Sequence, residues 1–439
     1  MSNNSNPINI LPSGYFHYPV SNPWVPKQYY EHNTKAGCDS DCDDDSKHDS
    51  ECKQRTNQKF PIFQVPPNFS KCCPKDPCPL KSLCDPNLKN SCVGKPLINN
   101  CLPRRSVTTW KVNYLVSNQM NQAAHVDLDL INPWGIVIYN NQLWNVNGGT
   151  DSLTNYDLYG NKILASRSIR DPNHKSSYPS GLAINCNGNF LTTGATTGVK
   201  GAALFLTATE HSTVHSYNPT VDIVGNVPLV IDTKPQGVVS IFRGIALHDN
   251  VMYLANLLHS RIDVFDSSYN QLTGFNFVDN DTSIPIPSDY GPNNIVRIGH
   301  HLFVAYARKN PDIPMQSVKG AGYGFVSIFN FDGSFVRRFT SKGVLNDPWA
   351  IIPAPCECGF PPNSILIGNH GDGRINVFDC EGRFVGPFLN QSGLPLVIDG
   401  LRGLAPHYTN FNEIYFTASS NDLTQGVLGS IIKSQVILV

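Results

Sequence analysis

The sequence that decides the fold reads NPWGIVI at residues 132–138, a phrase that the chain repeats five more times. In each copy a turn leads to a small residue, and a run of β-forming apolar residues follows. The later copies are YPSGLAI (178–184), IFRGIAL (241–247), GPNNIVRI (291–298), DPWAIIP (347–353) and GLRGLAP (400–406). Aligned on Gly135 and its counterparts, the copies lie 46, 63, 50, 56 and 53 residues apart. This period is typical of β-propeller blades.

Further β-rich runs follow each copy. A polar turn leads to a second apolar run: QLWNV, NFLTTG, VMYLAN, HLFVAY, SILIGN and EIYFTAS. A third run ends in an aromatic residue and a turn, as in GRINVFDCEGR, and a fourth closes the unit, as in RFVGPF. Four such runs predict one antiparallel blade. The second unit is longer, and its ATEHSTVHSYNP segment predicts the third strand, with the extra residues before it forming a loop.

The last unit is incomplete, because the chain reaches its end without a clear fourth strand. An orphan run, VNYLVSN (Val112 to Asn118), precedes the first repeat. We therefore expect this N-terminal strand to complete the C-terminal blade, which removes open sheet edges. The prediction is an all-β, six-bladed β-propeller over residues 111–439.

Composition separates residues 1–105 from the propeller. This segment is rich in Pro, Asn and Ser and shows neither strand nor helix periodicity, so we expect an irregular arm. It holds nine of the 13 cysteines, in spacings that favour disulfides over a zinc site. The disulfide candidates are Cys38, Cys42, Cys52, Cys72, Cys73, Cys78, Cys84, Cys92 and Cys101.

Charge and hydropathy exclude several classes of partner. The 439 residues carry 33 Lys and Arg against 34 Asp and Glu, a net charge of -1, so no basic field attracts nucleic acid. No run approaches the length of about 18 apolar residues that a membrane-spanning helix requires. The N-terminus lacks the basic and apolar regions of a secretory signal peptide. We therefore expect neither nucleic acid nor a membrane span.

Several motifs resemble known propeller sequences. The segment ILIGNHGDGRINVFDCEGRFVGPF, with SRIDVFDSSYNQL, resembles the NHL-type six-bladed repeat. More closely, VNYLVSNQMNQAAHVDLDLINPWGIVI, YPSGLAI and ATEHSTVHSYNP resemble a family of uncharacterised propeller proteins of bacteria, mostly exported, with relatives in large DNA viruses. This resemblance covers about residues 111–433. It implies the fold, and it supplies no catalytic residues.

A candidate site follows from the residue before each small position, which we expect to surround one mouth of the central channel. Tryptophan faces stack on sugars and guanidinium groups pair with acidic groups, so this mouth is a candidate site for a saccharide or an anion. Alternatively, the tryptophans pack between blades and the arginines pair with Asp347 or Asp399. The six positions are Trp134, Ser180, Arg243, Asn293, Trp349 and Arg402.

A metal-dependent reaction at this mouth is less favoured. Propeller lactonases place oxygen ligands there for calcium or another divalent ion, whereas this ring offers only Asn293 and Ser180 beside two cationic groups. The histidines (His300 and His301, His370 with Asp372, and His407) fall in turns or strand ends of different blades. Familiar hydrolase, nucleotide and metalloprotease motifs are missing from the sequence. The sequence therefore predicts no catalytic residues and no metal ligands.

The favoured function is a non-enzymatic surface or structural binding module. Its propeller displays binding loops, and its arm crosslinks or tethers it to other protein subunits or to surface glycans. Such a module would lie on a virion surface or outside the cell, as a disulfide-linked or self-associated oligomer. The alternative is a lactonase-like, metal-dependent propeller hydrolase that uses Ca²⁺ at the channel mouth. The ligand-binding candidates are Trp134, Arg243, Asn293, Trp349 and Arg402, and no cofactor is expected outside the alternative.

Overall fold

The computed structural model describes residues 106–171, 176–194, 197–221, 225–355, 359–407, 409–420 and 423–438. Strands make up nearly all of its regular structure, with one short 3₁₀ turn at Lys234–Gln236. Five sheets have four strands, a sixth has five, and a separate hairpin has two. The six large sheets are the predicted blades, so the six-bladed propeller is confirmed. The predicted arm and its nine cysteines lie outside the described residues.

The first three blades contain the strands that follow, named in chain order. Blade 1 consists of β3 (Pro133–Tyr139), β4 (Gln142–Asn147), β5 (Ser152–Asp157) and β6 (Lys162–Ser168). Blade 2 consists of β7 (Pro179–Ile184), β10 (Phe205–Thr209), β11 (Thr213–Tyr217) and β12 (Leu229–Asp232). Between β7 and β10 in sequence lies the hairpin of β8 (Leu191–Thr193) and β9 (Lys200–Ala202). Blade 3 consists of β13 (Phe242–His248), β14 (Val251–Asn256), β15 (Arg261–Asp266) and β16 (Gln271–Leu272).

The remaining blades follow the same order from the inner strand outward. Blade 4 consists of β17 (Tyr290–Ile298), β18 (His301–Arg308), β19 (Phe325–Phe329) and β20 (Phe335–Ser341). Blade 5 consists of β21 (Pro348–Pro353), β22 (Ile365–Asn369), β23 (Ile375–Phe378) and β24 (Phe384–Pro387). Blade 6 consists of β25 (Leu401–Pro406), β26 (Glu413–Ala418), β27 (Val427–Leu438), β1 (Ser106–Ser117) and the short β2 (His125–Val126).

Blade 6 closes the ring as predicted. Strand β1 pairs antiparallel with β27, from Ser106 opposite Leu438 to Ser117 opposite Val427, so the closing strand begins earlier than the predicted Val112. The indole of Trp110 stacks on Phe388 at 4.4 Å, and its backbone N–H donates to Leu389 of blade 5 over 2.8 Å. The closing strand therefore holds two neighbouring blades together.

The small residue of the repeat marks where neighbouring inner strands come closest. A Cβ on Gly135 would lie 2.7 Å from the backbone nitrogen of Leu182 in the next blade. A Cβ on Gly244 would lie 2.7 Å from the backbone of Asn294, one blade further. Such separations are shorter than van der Waals contact, so the axis of the ring accepts only small residues here.

One strand of blade 2 differs from the prediction. NFLTTG was expected as the second strand, but its residues lie in the β8–β9 hairpin. The second strand is instead β10, whose residues are all buried and which pairs with both β7 and β11. β10 (FLTAT) is covered on both faces, whereas β8 has Leu191 and Thr193 exposed.

Apolar faces of adjacent blades form the core. Between blades 4 and 5, for example, Phe339 packs against Phe303 at 5.4 Å and against Phe378 at 6.0 Å. Across the described residues, no helix has the length and apolar character needed to cross a membrane.

Candidate functional site

All six predicted ring residues lie near the start of an inner strand, at one pole of the channel. Five of them come together, and we call these five the arginine–tryptophan cluster and their end of the channel the cluster pole. Their exposed fractions are at most 5%, so they fill the mouth of the channel. The cluster consists of Trp134, Arg243, Asn293, Trp349 and Arg402.

A β-bulge at each position explains why these side chains leave their own sheets. The register of β3 against β4 shifts between Pro133 and Ile136, which surrounds Trp134. The register of β25 against β26 shifts between Leu401 and Leu404, which surrounds Arg402. The other cluster strands, β13, β17 and β21, shift in the same place. Because bulges redirect a side chain, the repeated irregularity aims the cluster at the axis.

Trp134 is the centre of the cluster. Its ring lies 5.6 Å from the Trp349 ring at 74°, an edge-to-face contact between blades 1 and 5. The Cζ atoms of Arg402 and Arg243 lie 4.2 Å and 5.2 Å from the centroid of the same indole. Cation–π attraction of this kind strengthens when the partners are desolvated. The indole therefore joins blades 1, 3, 5 and 6.

Each nitrogen of the Arg243 guanidinium contacts a protein group. Its Nε lies 2.7 Å from Oε1 of Glu210, at an angle that gives an ion pair without a directed hydrogen bond. Its Nη1 donates to Oδ1 of Asn293 over 3.1 Å, and its Nη2 donates to the carbonyl of Met315. The expected pairing with Asp347 or Asp399 is wrong for this arginine. Glu210 lies in the β10–β11 turn. It belongs to the ATEHSTVHSYNP segment, from which only a strand was predicted.

Asp347 is the second buried carboxylate at the cluster pole. Its Oδ1 accepts from Nδ2 of Asn293 over 3.1 Å, while its Oδ2 accepts from Ser317 over 2.6 Å and lies 2.7 Å from Nδ1 of His370. Burial raises the pKa of Asp347, whereas the Ser317 hydrogen bond and the nearby arginines oppose that rise. His370, which the sequence groups with Asp372, therefore pairs with Asp347.

Arg402 differs from Arg243 in having no directed partner. Among the described residues, its Nε and Nη1 meet no hydrogen-bond acceptor, although only 2% of the residue is exposed. Burial and the neighbouring Arg243 lower the pKa of Arg402 to about 9, while Asp347 and Glu210 oppose that shift. The indole nitrogen of Trp349 is also buried, and it too meets no acceptor among the described residues.

Ser180, the sixth ring position, is separate from the cluster contacts. Its hydroxyl donates to the carbonyl of Phe242 over 2.7 Å, which ties blade 2 to blade 3. Burial leaves it no exposed surface. Its observed contact is therefore a link between inner strands.

Below the cluster, the channel contains a cavity of about 540 Å³. Aliphatic side chains of the inner strands line it, including Val137, Leu182 and Val296, and Arg297 lies at the far end. His300 and His407 belong to that far end because they follow inner strands, whereas His370 belongs to the cluster pole. The histidines are thus divided between the poles. Within the described ranges, no three His, Cys, Asp or Glu side chains lie close enough to hold a metal ion.

Comparisons with known proteins identify the family. No protein-family model matches this chain. The chain is 63% identical to "Uncharacterized protein R648" of Acanthamoeba polyphaga mimivirus over 363 residues, covering 83% of this chain and 90% of that protein. It is 57% identical to "Uncharacterized protein L690" of the same virus, covering 85% and 99%. The chain belongs to this family of mimivirus proteins.

Solved structures resemble the chain at low identity. A streptogramin B lyase is 10% identical with a TM-score of 0.43, covering 74% of this chain and 98% of the lyase. A GH93 alpha-L-arabinofuranosidase of Fusarium graminearum is 10% identical with a TM-score of 0.44, covering 75% and 98%. Membership of an NHL-type family stays a prediction.

Proposed function

We propose that this mimivirus-family protein is a non-enzymatic structural or binding module, carried on the virus particle or released outside the cell. The observation that supports this role is the buried arginine–tryptophan cluster. It fills the pole at which a ligand-binding mouth was expected, and where the hydrolase alternative would place a reaction centre. Arg243, Asn293 and Asp347 direct their polar groups at one another there. A catalytic site needs reactive groups that substrate can reach, whereas a bonded and buried plug stiffens the ring.

The loops of the ring provide the surfaces for partners. The β8–β9 hairpin adds an extension to blade 2, and Leu191 and Val199 are 53% and 51% exposed there. Exposed apolar side chains on a rigid support suit contact with another protein subunit. Under this proposal, the propeller positions such loops and the cysteine-rich arm tethers the module to its neighbours.

Quantitative mass spectrometry tests the proposed location. Particles of the virus that encodes the chain would be purified and compared with infected-cell lysate and culture medium. We expect enrichment in particles after a high-salt wash, or in the medium, relative to abundant soluble host proteins. Recovery only from the soluble fraction of infected cells would contradict the proposal.

Calcium titration separates this role from the lactonase-like alternative. The amide oxygen of Asn293 already accepts from Arg243, so millimolar calcium should leave the melting temperature unchanged. Asn293→Ala should lower the melting temperature by the same amount with calcium and with chelator. The control Asn145→Ala removes a buried, hydrogen-bonded Asn of blade 1 and should also lower the melting temperature by the same amount under both conditions. A strong calcium-dependent rise that only Asn293→Ala abolishes would favour the hydrolase.

A further inference from the structure

Two buried carboxylates serve the cluster pole, and other groups already use both. Glu210 pairs with Arg243 at 2.7 Å. The carboxylate of Asp347 accepts hydrogen bonds from Asn293 and Ser317 and contacts the His370 ring, so both of its oxygens have partners. Arg402 is left as a buried cation whose Nε and Nη1 meet no acceptor in the described part of the chain. Asp347 and Glu210 favour the charged form of Arg402 without accepting a hydrogen bond from these two nitrogens. A buried guanidinium with N–H groups that lack an acceptor is strongly disfavoured, so this position calls for a further group.

Another arginine of the same protein shows what is missing. Arg338 is also buried, and its Cζ lies 4.9 Å from the ring centroid of Phe325. Its Nε and Nη2 each donate over 2.8 Å to the carboxylate of Asp279. Arg402 has a similar aromatic contact, at 4.2 Å from Trp134, without such a carboxylate. The two sites differ in one directly hydrogen-bonded carboxylate.

We propose that Arg402 binds a small monovalent anion of chloride size at the cluster pole. The blade 4 loop between β18 and β19 covers this region, since its Met315 accepts from Arg243 and its Ser317 donates to Asp347. Together with the 2% exposure of Arg402, this cover favours an enclosed ion over a large acidic ligand. The inference does not rest on the proposed particle role.

Anion-dependent unfolding tests this site in the full-length chain. Urea unfolding would be measured in mixtures of potassium chloride and potassium gluconate at constant ionic strength. If the dissociation constant for chloride is about 10 mM, raising chloride from about 10 mM to about 500 mM should increase the folding equilibrium constant about 25-fold. Arg402→Met should abolish this response. Arg338→Met, the matched control, should lower stability and keep the response.

A second measurement covers the case in which Arg402→Met does not fold. Crystals of the unmodified protein grown in sodium bromide should give an anomalous peak at contact distance from Nε or Nη1 of Arg402. A chloride response of equal size in both arginine variants, or crystals without a bromide peak beside Arg402, would overturn the proposal.

Discussion

Gly135 has no side chain because the neighbouring inner strand leaves no room for one. The same restriction applies at Gly181, Gly244 and Gly403, each of which approaches the backbone of an adjacent blade. This close approach leaves a glycine at the same place in four of the six repeats, whereas blades 4 and 5 have Asn294 and Ala350 there. The recurrence is visible in the sequence. That is why the recurring phrase predicted the order of the blades.

Replacing Gly135 tests this packing directly. Gly135→Ala should destabilise the protein by about 2–3 kcal/mol, because the clash is with backbone atoms that cannot rotate away. Gly386→Ala in the outer strand β24 is the control, since an added Cβ there meets nothing within 4 Å and should change stability by less than about 0.5 kcal/mol. Equal effects in urea unfolding would contradict the axial explanation.

His215 should make stability depend on pH. It is fully buried in blade 2, with Nδ1 3.0 Å from the Val227 carbonyl, and burial lowers its pKa to about 4. Since the unfolded chain takes up the proton first, this contribution is complete above pH 6.5 and is lost as pH falls towards 4. We expect a loss of about 1.4 kcal/mol per pH unit in that window.

The measurement is the urea unfolding free energy between pH 4.5 and 7.5. His215→Gln should be less stable at neutral pH. At acid pH it should take up about one proton fewer on unfolding, so its unfolding free energy should fall less steeply with pH. The exposed His300→Gln provides the control and should keep the wild-type profile. A profile that His215→Gln leaves unchanged would assign the acid sensitivity to other groups.

The positions of the cluster could be predicted from sequence, but its partners could not. Trp134, Arg243 and Arg402 precede small residues in aligned phrases, so the repeat places them at one pole. Glu210 and Ser317 come from turns and loops whose lengths differ among the blades, and no period carries them. The burial of the cluster could not be predicted from the sequence either. The loop that covers it, between β18 and β19, is an insertion in blade 4.

At the scale of elements, the strands of a blade can be predicted from the sequence where the turns between them are short. In blade 2, NFLTTG matched the spacing of the other blades and was predicted as the second strand, and the extra residues that contain most of β10 were predicted as a loop. The second strand is β10, whose edges pair with β7 and β11 and whose residues are buried on both faces. Local pattern alone could not decide this, since both runs have strand-forming residues.

The closing strand gives the prediction at this scale. Removing residues 1–118 deletes β1, exposes the edge of β27 and should abolish cooperative thermal unfolding. Removing residues 1–105 keeps β1 and should shift the melting temperature by only a few degrees. If both truncated proteins melt alike, strand closure does not stabilise the ring.

At the scale of the whole molecule, the cysteine-rich arm remains a sequence prediction. We expect its nine cysteines to be largely oxidised in the mature protein, within the arm or to a neighbouring molecule, which restricts the unfolded chain. Thiol alkylation followed by non-reducing electrophoresis and mass spectrometry measures this. Nine freely alkylated thiols, or stoichiometric zinc, would contradict it.

Closure through β1 and β27 also governs the order of events during biosynthesis. Thr109 and Ser434 bond across the seam although 325 positions separate them in the chain. At ribosomal rates of about 5–20 residues per second, β1 waits roughly 15–65 s for its partner. Throughout that interval Trp110 and Val116, both buried in the finished ring, are without the strand that covers them. Nascent chains should therefore depend on chaperones until the last strand leaves the ribosome.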